Sequence, residues 1–459
     1  MNAIQKSNCE PSSKIIFETL IEVLRHRALN QPDQKTFTFL LDGEIEEDNI
    51  TYSELDLQAR AIAALLQSHV RAGERALLLY SPGLQFIAAF LGCLYAGVVA
   101  VPAYPPRNNN RSMNRIQAIA SDCQAKVILT TTQTLSNVKQ QFADSSELTN
   151  LCLLNTDTIV NGLAEIWEEP KINSDTLAYL QYTSGSTSTP KGVMISHKNV
   201  ISNSADIALT WETGADTVLV SWLPHFHDFG LVYGIIQPLY QGFPCILMAP
   251  TSFIQKPIRW LQAISRPQAT HSGAPNFAYE LCTHKIPVEE CKDLDLSNWC
   301  VAINGAEPIR PESLQNFAQA FQPYGFRLST LCPGYGLAEA TLKVSGVLKG
   351  EKPDFCTFDA SALEKHHLIE SSKNDSDTRT LVECGRILLD TKIAIVDPAS
   401  LTKCQPNQVG EIWVSSSSVA HGYWNRPEES ESTFRAYIAN TKEGPFLRTG
   451  DLGGSNAIL

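Results

Sequence analysis

Leu84 to Val101 is apolar except for Gln85 and reaches the length of a membrane-crossing helix, so any fold must first accommodate this run. Gly92 and Gly97 interrupt it, and Pro82-Gly83 and Pro102 bracket it. Glycine closes helices and proline breaks backbone pairing, so the run divides. Ala76–Tyr80 reads as a strand, Gln85–Tyr95 as a buried helix stopped near Gly97, and Val98–Val101 as the next strand. The expectation is a buried strand–helix–strand unit, not a membrane span.

The same alternation continues along the chain. Thr51 and Glu54 form a capping-box pattern ahead of a helix over Tyr52–Val70, with Leu55, Ala59, Ile62 and Leu66 on one face. Short β-rich runs follow at Val127–Thr131, Leu177–Tyr182, Val193–Ile195, Val218–Trp222 and Cys245–Met248. Strands alternating with helices predict an α/β fold with largely buried sheets. Beyond Glu339 the texture changes. Lys349–Asp377 is polar and weakly periodic and reads as a surface excursion. Lys392–Val396 and Glu411–Ser415 then read as strands of a smaller β-rich subdomain.

Composition removes several function classes. A formal charge of −12 argues against nucleic acid and anionic membrane surfaces as partners. The chain has 12 cysteines but no CxxC pair, and Met1–Lys14 has no apolar signal-peptide core, which together predict free thiols in a reducing cytoplasm.

The sharpest motif is Tyr182-Thr-Ser-Gly-Ser-Thr-Ser-Thr-Pro-Lys191-Gly192, set between two apolar strands. Small hydroxyl residues and glycine let backbone N–H and side-chain OH groups crowd around phosphate oxygens, and Lys191 adds a cation. It is not a Walker A loop, since no glycine directly precedes the lysine and no helix clearly follows. His225-x-His227-Asp228 imitates a metal site but lacks a further ligand of clear spacing.

Tyr182–Gly192 resembles the phosphate-binding signature of the adenylate-forming superfamily: acyl-CoA synthetases, peptide-synthetase adenylation domains and luciferases. Four more segments match in order. Ser221-Trp-Leu-Pro-His-Phe-His-Asp-Phe-Gly230 resembles the His-Asp motif beside the acyl pocket, and Asn304-Gly-Ala-Glu-Pro308 the adenine-contacting turn. Tyr335-Gly-Leu-Ala-Glu339 resembles the adenine-stacking and metal-binding motif, and Arg448-Thr-Gly-Asp451 the ribose motif. The resemblance, from about Ile15 to Gly453, implies two buried α/β sheet units plus the β-rich subdomain. It implies ATP as substrate and Mg²⁺ as metal.

Thr183, Ser184, Gly185, Ser186 and Thr187 would then meet phosphate, and Gly305, Ala306, Glu307, Tyr335 and Gly336 the adenine. Asp451 would hold the ribose, Glu339 the metal, Lys191 phosphate charge, and His227 the region near the acyl carboxylate. The implied reaction is in-line attack of a fatty carboxylate on the α-phosphorus, with pyrophosphate leaving and acyl-adenylate formed.

Ser188, Val101-Pro-Ala-Tyr-Pro-Pro106, Tyr335–Leu342, Gly410-Glu-Ile-Trp-Val414 and His421-Gly-Tyr-Trp-Asn425 resemble the fatty acyl-AMP ligases in particular. In that branch an insertion, here 349–377, restrains a small C-terminal domain, and the acyl group passes to the phosphopantetheine of an acyl-carrier protein or of a carrier domain of a polyketide or peptide synthase, in lipid or polyketide/lipopeptide synthesis. Residues 1–453 match the large adenylation domain. The tail 454–459 does not match the hinge that follows in the family, so the expectation is a chain without the small domain, impaired in turnover. Two other readings stay open: a long-chain acyl-CoA synthetase, and a catalytically weak module that binds ATP or acyl-AMP.

Overall fold

The computed structural model describes residues 16–454 apart from 42, 106–109, 143–150, 184–189, 373–374 and 376. The apolar run divides as its punctuation predicts, into strand Arg75–Leu79, helix Leu84–Tyr95 and strand Val99–Ala103. Every residue of that helix except Gln85 is buried. It packs against Arg75–Leu79 and Val99–Ala103 of one sheet and against strands Lys35–Leu41 and Ile45–Thr51 of another. A helix between two sheets has no solvent face, which is why its sequence is apolar all round.

The first of these sheets has six strands, in the order Cys152–Asn155, Val127–Thr130, Arg75–Leu79, Val99–Ala103, Leu177–Thr183, Lys191–Ser196. All its neighbours are parallel except the last pair, where Thr183 stands opposite Lys191. The proposed phosphate loop therefore joins two paired antiparallel strands. The second sheet has eight strands, in the order Lys343–Gly346, Leu331–Gly336, Val301–Asn304, His271–Ala274, Leu219–Ser221, Cys245–Met248, Lys35–Leu41, Ile45–Thr51. Its interior pairs are parallel and its two outermost pairs antiparallel. Parallel sheets covered on both faces agree with the α/β expectation.

The capping box forms as the sequence predicts: Glu54 N–H donates to Thr51 Oγ1 at 3.3 Å, and Thr51 N–H to Glu54 Oε2 at 2.9 Å. Its helix spans Tyr52–Gln67. The β-rich subdomain is an antiparallel sheet of three strands, Lys392–Val396, Val409–Ser415 and Leu447–Gly454. Among the described residues between Lys349 and Val382 there is regular structure as well as loop. Strands Phe355–Asp359 and Thr378–Val382 pair there as an antiparallel hairpin.

Among the described residues no helix is long and apolar enough to cross a membrane. Most described cysteines are buried free thiols. Burial raises Cys123, Cys332 and Cys384 to about 12, which keeps them protonated and unreactive.

Candidate active site

In an open α/β sheet the carboxyl ends of parallel strands leave a crevice where ligands bind. Here one cavity of about 240 Å³ opens at the ends of Leu177–Thr183, Val301–Asn304 and Leu331–Gly336. Thr183, Gly305, Ala306, Tyr335, Gly336 and Glu339 line it. Trp211, Phe229, Ile303, Leu337 and Leu342 add apolar surface to the lining.

The turns that bring backbone to the cavity depend on small residues. A Cβ on Gly336 would lie 1.9 Å from the Leu342 carbonyl oxygen, and one on Gly305 would lie 2.9 Å from that of Gly334. Only glycine fits there. Ala306 sits at φ +66, a left-handed conformation that costs a side-chain-bearing residue about 1–2 kcal/mol. Backbone strain of this kind gathers at ligand sites. Glu307 does not line the cavity. Its carboxylate accepts the Phe277 N–H at 2.6 Å, near the start of helix Asn276–Lys285.

Tyr335 reaches from the cavity wall to the β-rich subdomain, where its hydroxyl donates to Asp451 Oδ2 at 2.7 Å. Burial, and then the Asp451 carboxylate, push this phenol above its ordinary range, so it stays a donor. The strand carrying Asp451 is fixed from below by buried Glu411. That carboxylate accepts from Arg448 Nε and Nη2 at 3.1 and 2.9 Å and from the Gly450 N–H at 3.1 Å. Glu411 lies in the quoted Gly410–Val414 segment, but its role was not legible there. Glu411→Gln is expected to weaken binding of a non-hydrolysable acyl-AMP analogue about tenfold, because charge-assisted bonds are roughly twice as strong as neutral ones. Calorimetric titration checks this; wild-type affinity in the mutant would exclude the bracing role.

Glu339 lies in a short 3₁₀ turn, Ala338–Ala340, and its Oε1 accepts the Tyr423 hydroxyl at 2.8 Å. Burial raises the carboxyl, and the Tyr423 hydrogen bond partly opposes that rise. A hard carboxylate at a cavity wall suits Mg²⁺, which takes one or two protein carboxylates and fills the rest of its shell with phosphate oxygens and water.

The two histidines separate cleanly. His225 is buried with its ring 4.0 Å from that of Phe86, and burial lowers it to about 3. It is a core residue. His227 faces the cavity, with its Nδ1 2.6 Å from Asp228 Oδ1. Desolvation pulls this imidazole down, but the Asp228 hydrogen bond and charge more than offset that, so it stands above its ordinary value. Immediately after Asp228 the chain winds as a π-helix, Phe229–Ile236, a form common at functional sites. A second cavity, of about 250 Å³, shares Thr183, His227, Asp228 and Ala338 with the first and is walled by Pro102, Tyr104 and Phe226.

Lys191 was expected to meet phosphate. In the structure its ammonium pairs with Glu429 and sits 5.1 Å from the centroid of the Tyr423 ring. Ser184, Gly185, Ser186 and Thr187, with Ser188, lie outside the described residues.

Residues 24–424 match the family described as AMP-binding enzyme. The chain is 52% identical to the medium-chain-fatty-acid–[acyl-carrier-protein] ligase JamA of Moorena producens, covering 96% of this chain and 75% of that one. The chain belongs to the AMP-binding enzymes, and within them to the fatty acyl-AMP ligases. It is also 34% identical to the ligase TtuA of Teredinibacter turnerae, which bears the same medium-chain description, covering 95% of this chain and 74% of that one. The crystal structure of a fatty acyl-adenylate ligase from L. pneumophila, in complex with acyl adenylate and pyrophosphate, superposes with a TM-score of 0.89. That match has 41% identity and covers 95% of this chain and 75% of the other.

Proposed function

We propose that this chain activates a medium-chain fatty acid with ATP and hands the acyl group to a carrier protein's phosphopantetheine thiol. The observation that carries the reading is the cavity itself, whose lining combines the glycine turns at Gly305 and Gly336 with Tyr335, Glu339 and the apolar side chains of Trp211, Phe229, Ile303, Leu337 and Leu342. Adenosine stacks on Tyr335 against the Gly305-Ala306 backbone, and Asp451 takes the ribose hydroxyls. The carboxylate then lies near His227, whose charge is favoured by Asp228. Its oxygen attacks the α-phosphorus, the bond to the β-phosphate oxygen breaks, and pyrophosphate carries the displaced electron pair away. Glu339 would hold Mg²⁺, which neutralises phosphate charge when bound. The second cavity shares His227 and Asp228 with the first, and the incoming thiol would approach the acyl carbon through it. Buried, protonated thiols support a cytoplasmic setting. Residues 1–453 read as the adenylation domain, and the 349–377 segment, which holds the first strand of the hairpin, as its insertion.

Part of the cavity lining bears on the medium-chain reading. Trp211, Lys343 and Ser345 line the cavity and are buried, and Lys343 is ion-paired with Asp206. We take these bulky and charged groups as the floor of the acyl site. Each methylene buried in an apolar wall contributes about 0.8 kcal/mol, and a charged floor ends that gain. Acyl-sulfamoyl adenosines are therefore expected to bind more tightly with length up to the medium-chain range, and then to plateau or weaken. Calorimetric titration across the series checks this. A steady rise through the long-chain acids would exclude the floor, and no binding at any length would exclude the site.

A further inference from the structure

We infer that Tyr423 is a positioning residue that locks the metal carboxylate and the phosphate-loop lysine into one unit. This rests on the proposed nucleotide site. The Tyr423 hydroxyl donates to Glu339 Oε1 at 2.8 Å, and the face of the same ring carries the Lys191 ammonium at 5.1 Å. Glu429, a few residues further on, pairs with that ammonium. One aromatic side chain thus touches both residues that sequence reading assigned to the triphosphate.

The backbone around it has the same arrangement. Met194 N–H donates to Gly422 O at 2.9 Å, His421 N–H to Met194 O at 3.1 Å, and Trp424 N–H to Gly192 O at 2.7 Å. The Ala420 N–H donates to Glu339 O at 2.9 Å. Residues 420–424 therefore lie as a rung between the strand leaving the phosphate loop and the turn bearing Glu339. Nearby, the Arg426 guanidinium donates to Pro190 O at 3.4 Å and stands 3.7 Å from Asp122, which accepts the Tyr182 hydroxyl at 2.6 Å. Both ends of the loop are tied to this one segment.

Tyr423 is itself held. It is buried, its ring meets Phe434 edge-on at 5.0 Å, and its N–H donates to Ser430 Oγ at 2.8 Å. A side chain so fixed defines where Glu339 points, and pre-set ligand geometry is what second contacts give a metal site. The role of Lys191 changes accordingly. Its charge is matched by Glu429, and it acts by anchoring the loop.

Tyr423→Phe keeps the ring, its contact with Lys191 and its packing, and removes only the bond to Glu339. It is expected to weaken ATP binding about tenfold in the presence of Mg²⁺ and to raise the Mg²⁺ concentration required, since outer partners of metal ligands typically matter about 10–100-fold. Binding of ATP in EDTA, and of an acyl-sulfamoyl adenosine without metal, is expected to stay within about twofold of wild type. Glu429→Gln frees Lys191 instead, and should weaken ATP equally with and without Mg²⁺. Calorimetric titration of the four combinations decides the matter. An unchanged Mg²⁺ requirement in Tyr423→Phe, or equal losses with and without metal, overturns the inference. Failure of the wild-type chain to bind the metal-free analogue overturns the nucleotide site itself, and this inference falls with it.

Discussion

Lys343→Met is expected to lower the unfolding free energy by about 3–5 kcal/mol, the largest stability effect of any single change considered for this chain. Lys343 Nζ lies 2.6 Å from Asp206 Oδ1, and both side chains are 2% exposed. Burial lowers the lysine from its ordinary value while Asp206 pulls it back, so each charge depends on the other. Asp206 Oδ1 also accepts the Thr210 hydroxyl at 3.2 Å, but Oδ2 has no partner among the described residues. Removing the lysine therefore strands a carboxylate in the core. Lys343→Met with Asp206→Leu should recover most of the loss, because apolar groups of similar volume replace a buried pair at little cost. Denaturant titration of the three proteins checks this; a single mutant within about 1 kcal/mol of wild type would show that the carboxylate finds another partner or a proton. On the proposed reading of Lys343 as the floor of the acyl site, the double mutant should also extend the preferred acyl chain.

How much of this was legible in the sequence depended on how local the signal was. The helix Leu84–Tyr95 could be read because its breakers lie within and beside it. The cavity's turns could be read because each motif is a short, continuous stretch closed by residues with small side chains. The pairs that brace the site could not. Lys343 and Asp206 are 137 residues apart, Tyr423 and Glu339 are 84 apart, and Lys191 and Glu429 are 238 apart. No periodicity carries such distances, because the pairs exist only once the sheets and the β-rich subdomain have met. His225 and His227 show the same limit at short range. Two residues apart in a loop, nothing local says which enters the core against Phe86 and which faces the cavity. The carboxylate of Glu307 finds its partner, the Phe277 N–H, 30 residues away, which the motif around it does not carry. The 349–377 segment reads as a surface excursion and as the family insertion, but its strand pairing was not legible because the partner strand, Thr378–Val382, begins just beyond it.

Tyr335→Ala is expected to produce the largest loss of ligand binding, about 10–100-fold for a non-hydrolysable acyl-AMP analogue. Stacking a base on an aromatic ring is worth about 1–3 kcal/mol, and alanine leaves adenine facing an empty wall. Asp451→Ala should come close behind, since a ribose hydroxyl donating to a carboxylate makes a charge-assisted bond worth about 1.5–3 kcal/mol. The two residues also touch each other, with the Tyr335 hydroxyl 2.7 Å from Asp451 Oδ2, so their effects should not add. In the proposed site that hydroxyl and the ribose would compete for the same carboxylate. Tyr335→Phe separates the two contributions: it keeps the stacking face and releases Asp451, so its affinity should stay within a few-fold of wild type while Tyr335→Ala falls. Tyr335 is only half-buried, and its removal should disturb stability far less than binding. Calorimetric titration of wild type, both single alanine mutants, the double alanine mutant and Tyr335→Phe tests the scheme. Equal losses for phenylalanine and alanine would place the binding energy in the hydroxyl and not the ring. Strict additivity of the two alanine mutants would show that the bond seen between Tyr335 and Asp451 does not govern access to the ribose site.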